Sequence, residues 1–198
     1  MSGRKQFDVD EVVAKAMVVF WGQGYADASL DLLTAATGLG RGSLYGAFGD
    51  KDGLFRRALD HYSATYGERY EEALTAHADD PVQAIDAFFG VTLARIEDPA
   101  VPDGCLIAQS ALLTPVLTPG AAAHVRRLLD AQRTRLVAAF ASAGAGAGAG
   151  AGELDDLATY VLAINQSLAV LSRAGATRAE LLTVTRLASE TVAARLNR

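Results

Sequence analysis

Between Gly38 and Lys51 the chain gathers side chains that bind phosphate and base edges. Arg41 offers a guanidinium, Ser43 and Tyr45 hydroxyls and Lys51 an ammonium, with the Ser29 hydroxyl a little upstream. At about 100° per residue, Leu44 and Phe48 share one face of a helix over Arg41–Phe48. Gly42, Ser43 and Gly46 occupy the opposite face. A small-residue outer face lets such a helix approach the floor of a duplex major groove, with Arg41 and Tyr45 at its margins. The same pattern also fits a surface helix with a solvated arginine. Catalytic chemistry has less support. His61, His77 and His124 fall in different segments without metal-ligand spacing, and Cys105 is the only cysteine. There is no GxSxG elbow, phosphate loop or HExxH. The expectation is a binding protein and not an enzyme, with no cofactor and no metal.

Helices must position these groups, because strand signals are nearly absent. Asp8 with Glu11 three residues on reads as a capping box ahead of Val9, Val12, Val13, Ala16, Met17 and Phe20, and Gly22 and Gly24 are expected to stop that helix. Ser29 caps a short second helix that ends at Gly38, and the turn Thr37-Gly38-Leu39-Gly40 leads into the third, a helix-turn-helix layout. Asp50 caps a longer helix to about His77. Asp80-Pro81 opens the next, to about Glu97. Short and long helices follow over Cys105–Leu113, from Thr118-Pro119 to Phe140, and over Leu154–Leu171. Thr177 with Glu180 is a second capping box, before Leu181–Leu196. The fold class is all-α, with about nine helices. The strict Gly/Ala alternation from Gly144 to Gly152 reads as a flexible connector of roughly 15–18 Å.

The 198 residues carry a net charge of −5, unevenly spread. Residues 1–57 hold seven basic and seven acidic groups, the remainder eleven and sixteen. A neutral head on an acidic body admits a polyanion only at the head. The N-terminus lacks a signal-peptide apolar region and no run is long enough to span a bilayer, so a soluble, cytoplasmic protein is expected. Arginine in preference to lysine, with abundant alanine and glycine, fits a GC-rich bacterial genome.

Residues 7–62 resemble the DNA-binding domain of TetR-type (tetracycline-repressor-like) bacterial regulators. The resemblance rests on Phe20-Trp21-Gly22-Gln23-Gly24-Tyr25, Ser29-Leu30-Asp31-Leu32-Leu33, Thr37 through Tyr45, Phe48-Gly49-Asp50-Lys51 and Leu54-Phe55. It implies a helix-turn-helix head over residues 1–50 and a helical ligand-binding and dimerisation domain over 51–198, linked by the helix starting near 50. It also implies a repressor that binds a palindromic operator as a homodimer and is released by a small molecule. The DNA-contacting positions fall on Ser29, Arg41, Ser43, Tyr45 and Lys51, with Gly42 and Gly46 on the facing surface. Two positions depart from the pattern: Gly40 caps the recognition helix less well than the usual serine, and Gly46 replaces a larger side chain.

The second half resembles the family less specifically. Gly104-Cys105-Leu106 is similar to a segment of one group of these proteins, where Cys105 is either a thiol sensor or, more simply, a buried apolar residue. Phe88, Phe89, Ile107, Gln109 and Tyr160 are expected to line a pocket for a small, largely apolar ligand, though each also fits plain core. Val161, Ile164, Leu168 and Leu171, with Leu181, Val184, Leu187 and Val192, are expected at a dimer seam of four helices. Asn165, Gln166 and Ser167 need partners if buried, and suit hydrogen bonding at that seam.

Overall fold

The computed structural model describes residues 7–142 and 151–196. Among them are nine α-helices and no strand: α1 Val9–Asp27, α2 Leu30–Thr37, α3 Arg41–Phe48, α4 Lys51–Thr75, α5 Pro81–Ile96, α6 Leu106–Leu112, α7 Pro119–Ser142, α8 Ala151–Arg173 and α9 Arg178–Leu196. A single 3₁₀ turn at Thr114–Val116 separates α6 from α7. Most of the Gly144–Gly152 alternation lies outside the described residues, and its last two residues already belong to α8.

The helix starts follow the capping chemistry. The Asp8 carboxylate accepts from the Asp10 and Glu11 amides, Asp50 from Gly53, and Asp80 from Val82 and Gln83. The second capping box is complete: Glu180 accepts from the Thr177 amide (2.7 Å) and hydroxyl (2.8 Å), and the Glu180 amide donates back to the Thr177 hydroxyl. These bonds hold the Glu180 carboxyl below its usual range. The first box is only half made, since Glu11 pairs instead with Lys15 (2.6 Å).

The end of α1 differs from expectation. Gly22 stays helical, and Gly24 kinks the helix at φ +79° without ending it, so a last turn runs on to Asp27. A left-handed residue inside a helix releases the carbonyls one turn earlier. Those carbonyls find partners across the molecule. The Gln109 amide of α6 donates to Trp21 O (2.7 Å) and Phe20 O (3.4 Å), and Arg173 of α8 donates to Trp21 O and to the Gln109 side-chain carbonyl.

Helix α4, about 37 Å long at 1.5 Å per residue, is the central beam. Helices α1, α3, α5 and α7 pack on it, α7 along both of its halves (His124 to Asp60, Arg135 to Glu71), while α8 and α9 complete the body against α5 and α7. Phe55, Tyr62, Tyr66 and Tyr70 form a buried stripe along it. Phe55 meets Phe20 (5.0 Å between centroids) and Tyr25 (4.8 Å), Tyr62 and Tyr66 stand edge-on to Trp21, and Tyr70 packs on Phe88 (4.6 Å). One continuous apolar core thus runs from α1 to α9.

The turn from α3 into α4 is fixed by contact. A Cβ on Gly53 would lie 2.1 Å from the Phe48 carbonyl oxygen, so only glycine lets the two backbones approach this closely. Gly53→Ala is expected to destabilise the protein by about 1–3 kcal/mol through forced overpacking, read as a lower urea midpoint at unchanged slope.

Candidate nucleic-acid interface

The head presents α3 almost bare. Of its eight residues only Leu44 is buried and Phe48 half-buried, as their spacing predicts, and the other six are exposed. Ser29 caps α2 by accepting from the Leu32 amide (3.2 Å), which leaves its hydroxyl hydrogen free to donate outward. Gly38 takes the left-handed conformation that turns α2 toward α3 (φ +71°). Gly40 makes no side-chain cap, so the first amides of α3 keep their donor capacity.

Two of the expected contact residues, Arg41 and Lys51, reach to the segments on either side of Ser29. Arg41 reaches back from α3 to pair with Asp31 (2.6 Å) in the first turn of α2, two residues beyond Ser29. Lys51 approaches from the other side and donates to the Ala26 carbonyl (3.2 Å), its ammonium 4.8 Å from the Tyr25 ring centroid. Partial burial lowers the Lys51 pKa, and Asp27 opposes that shift. Lys51 is therefore a strut between α1 and α4 before it meets any partner. The exposed Arg41–Asp31 pair contributes at most about 1 kcal/mol, so a phosphate or base edge can take the guanidinium from the carboxylate at small cost. Tyr45 stands 44% exposed on the same helix.

Gly42 and Gly46 are informative for what does not touch them. A Cβ at either position would meet nothing within 4 Å. Gly46, inside the helix, costs about 1 kcal/mol relative to alanine, and no contact among the described residues requires it.

The body does not assemble the five expected pocket residues. Phe88, Phe89 and Ile107 are fully buried core, Tyr160 is half-buried on α8, and Gln109 spends its amide on the α1 carbonyls. Gln109 does border a cleft of about 470 Å³, lined also by Gly24, Cys105, Leu113, Val170 and Arg173, between the end of α1, α6 and α8. Among the expected seam residues, Val161, Leu168, Leu181 and Val192 are buried inside the chain's own core, so they cannot face a partner. Leu187 (50% exposed) and Leu171 (37%) do lie outside, and Ile164 and Val184 are half-buried. Asn165 and Gln166 also have internal partners: Asn165 accepts from Thr92 and Gln166 donates to Gln132. The Ser167 hydroxyl bonds back to the Ile164 carbonyl.

Sequence reasoning missed a buried polar cluster of Tyr62, Tyr70, Thr92, Arg95 and Asn165, drawn from α4, α5 and α8. One signal was available, since Phe88, Thr92 and Arg95 follow one another at helical spacing on a single face of α5.

A family model described as "Bacterial regulatory proteins, tetR family" matches residues 12–58. The chain is 29% identical to the HTH-type transcriptional repressor ComR of Escherichia coli (strain K12), over 91% of this chain and 86% of the relative. Among solved structures it is similar to the TetR family transcriptional regulator CifR, a cysteine mutant complexed with 26bp double-strand operator DNA. That likeness has a TM-score of 0.79 at 31% identity and covers 94% of this chain and 97% of the other. A TetR transcriptional regulator from Chloroflexus aurantiacus J-10-FL aligns with a TM-score of 0.80 at 26% identity, over 93% of both chains.

Gly46→Ala separates a groove-facing surface from a merely solvated one. It should stabilise the free protein by about 1 kcal/mol through helix propensity and yet weaken binding to duplex DNA in a fluorescence-anisotropy titration. Higher stability with unchanged DNA affinity would mean that this face stays in water.

Proposed function

This chain belongs to the TetR family of bacterial regulatory proteins, and from that premise we propose that it represses transcription as a homodimer that grips a palindromic operator and lets go when a small molecule binds its body. Residues 1–50 act as the reading head and residues 51–198 as the ligand-binding and dimerising body. The observation that carries this reading is the bare face of α3, whose two glycines no contact among the described residues requires. Arg41 and Ser43 are the base-reading groups, and Ser29, Tyr45 and Lys51 hold phosphates on either side. With Gly42 and Gly46 offering no side chains, the deformability of the duplex supplies the rest of the specificity. The protein works where its operator lies, in the cytoplasm. None of the helices among the described residues is long and apolar enough to cross a membrane.

A single helix-turn-helix reads few base pairs, so two heads must sit about 34–36 Å apart, or a multiple of that, on successive grooves. The outward faces of α8 and α9 are the surface for this pairing. Val170 (46% exposed), Leu171, Leu182 (37%) and Leu187 leave apolar area in water there, and two copies of this helix pair make a four-helix bundle. A charge at Leu168 would unfold the subunit and not split the dimer, because that side chain is fully buried.

Release follows from how the head is tied to the body. The hydrogen bonds from Gln109 and Arg173 to the α1 kink, and the aromatic stripe of α4, make head position depend on body packing. A ligand that prefers the released arrangement by about 2.7 kcal/mol lowers operator affinity a hundredfold.

Two substitutions test the assignment. Arg41→Ala should cost roughly 1–3 kcal/mol of operator binding and relax sequence preference, measured by anisotropy against a selected duplex and its single-base variants. Leu187→Arg should give a folded monomer by sedimentation velocity, with operator affinity reduced to that of one head. A wild-type protein that sediments as a monomer at micromolar concentration contradicts the dimeric reading.

A further inference from the structure

The body encloses a cation without an anion. Arg95, near the end of α5, is 4% exposed. One of its terminal nitrogens donates to the Tyr62 hydroxyl (2.6 Å) and, at 3.5 Å, to Tyr70. The guanidinium carbon lies 5.5 Å from the Tyr66 ring centroid and 6.0 Å from that of Tyr62. The Nε–H is buried with no acceptor. Among the described residues no ion pair includes Arg95. The tyrosines do not neutralise it. Burial above all pushes the Tyr62 phenol well above its usual range and the Tyr66 phenol up as well, so both remain uncharged at neutral pH.

A buried, unpaired guanidinium costs several kcal/mol, and an apolar residue of similar volume would serve packing alone better. Arg95 borders a small cavity whose largely apolar wall carries several polar groups. Arg95, Tyr62, Tyr70, Gln132 and Asn165 line this cavity between α4, α5, α7 and α8. Arg135 of α7 borders it too, with its guanidinium packed over Gly67 and its charge already met by Glu71 at 3.5 Å. The cavity measures about 10 Å³, room for one water at most.

Building on the regulatory reading above, we propose that this cavity binds the releasing ligand, and that the ligand is a small carboxylate whose oxygens take the free Nε–H edge of Arg95. Guanidinium and carboxylate match as planar partners with parallel hydrogen bonds. A single uncompensated positive charge calls for a monoanion, and the tight fit calls for a short one. The ligand enters by spreading the wall, because the cavity in its closed form holds no more than a water. The parts that yield are α4, through Tyr62 and Tyr66, and α7, through Gln132 and Arg135. Tyr62 and Tyr66 stand edge-on to Trp21 at 5.0 and 5.8 Å, and the Trp21 carbonyl is held by Gln109. Spreading therefore acts directly on the kinked end of α1 and on the head.

Trp21 is the chain's only tryptophan, so its fluorescence reports on the cavity. The test titrates the full-length protein with sodium formate, acetate and propionate at matched ionic strength, with acetamide as the neutral counterpart of acetate. The expected result is a saturable fluorescence change with the acids and none with acetamide. The same acid concentrations should weaken operator binding at least about tenfold. Arg95→Gln should raise the half-saturating acid concentration at least about tenfold, and Arg95→Lys should fall between it and wild type. Should Arg95→Gln fail to fold, the comparison of acetate with acetamide on the wild type decides alone. An equal response to acetamide, wild-type titration by Arg95→Gln, or no saturable response to any of the three acids overturns the proposal. Operator binding is measured first without acid. Its absence would overturn the regulatory reading itself, whereas a protein that binds operator and ignores every acid overturns only the carboxylate assignment.

Discussion

The aromatic stripe of α4 is the constraint on which the rest depends. Phe55, Tyr62, Tyr66 and Tyr70 recur on one side of a single unbroken helix and are claimed in turn by α1 and α5. Buried aromatics interlock at fixed centroid separations and cannot slide without opening voids. The head is therefore seated on the same core as the body, and no linker lets it swing. A regulator built this way has one mechanical element between the ligand side and the DNA side. In the proposed switch, small changes in body packing become changes in the attitude of α3.

A second set of ties makes that element directional. Gly24 breaks the hydrogen-bond ladder of α1 and exposes two carbonyls, which Gln109 and Arg173 satisfy from α6 and α8. A polar group left unpaired inside a protein costs about 1–3 kcal/mol, so any shift that removes Gln109 must compensate the Trp21 carbonyl elsewhere. The cleft beside Gln109, bounded by α1, α6 and α8, has both parts of the molecule as its walls.

What could be read from the sequence divides along physical lines. The helix-turn-helix was legible because its determinants are local: a serine cap at Ser29, a glycine suited to the left-handed turn at Gly38, and Leu44 and Phe48 one turn apart. The two capping residues Asp50 and Thr177 placed helix starts for the same reason. The proposed seam was hard to separate from the core. Helix α8 is apolar on two sides, and periodicity cannot tell that Val161 and Leu168 belong to the subunit's own core while Val170 and Leu171 face outward. Gln109 was expected to line a ligand pocket, but its amide is given to a carbonyl released by a kink 85 residues upstream at Gly24. The cluster around Arg95 was only partly legible, because its members lie on separate helices and only the packed fold brings them together. Spacing shows which face of α5 is buried, and not which hydroxyls will meet it there.

In the proposed dimer, one rigid core holds two heads at the spacing of a duplex. Pulsed electron paramagnetic resonance on the dimer measures this directly, with spin labels at the exposed position 47 of α3 (Ala47→Cys in a Cys105→Ser background). The account predicts a narrow distance distribution in the free protein that changes little when operator is added and is consistent with heads about 34–36 Å apart or a multiple of that. A broad distribution in the free protein, sharpened only by DNA, would show heads that move independently of the body and would contradict the account.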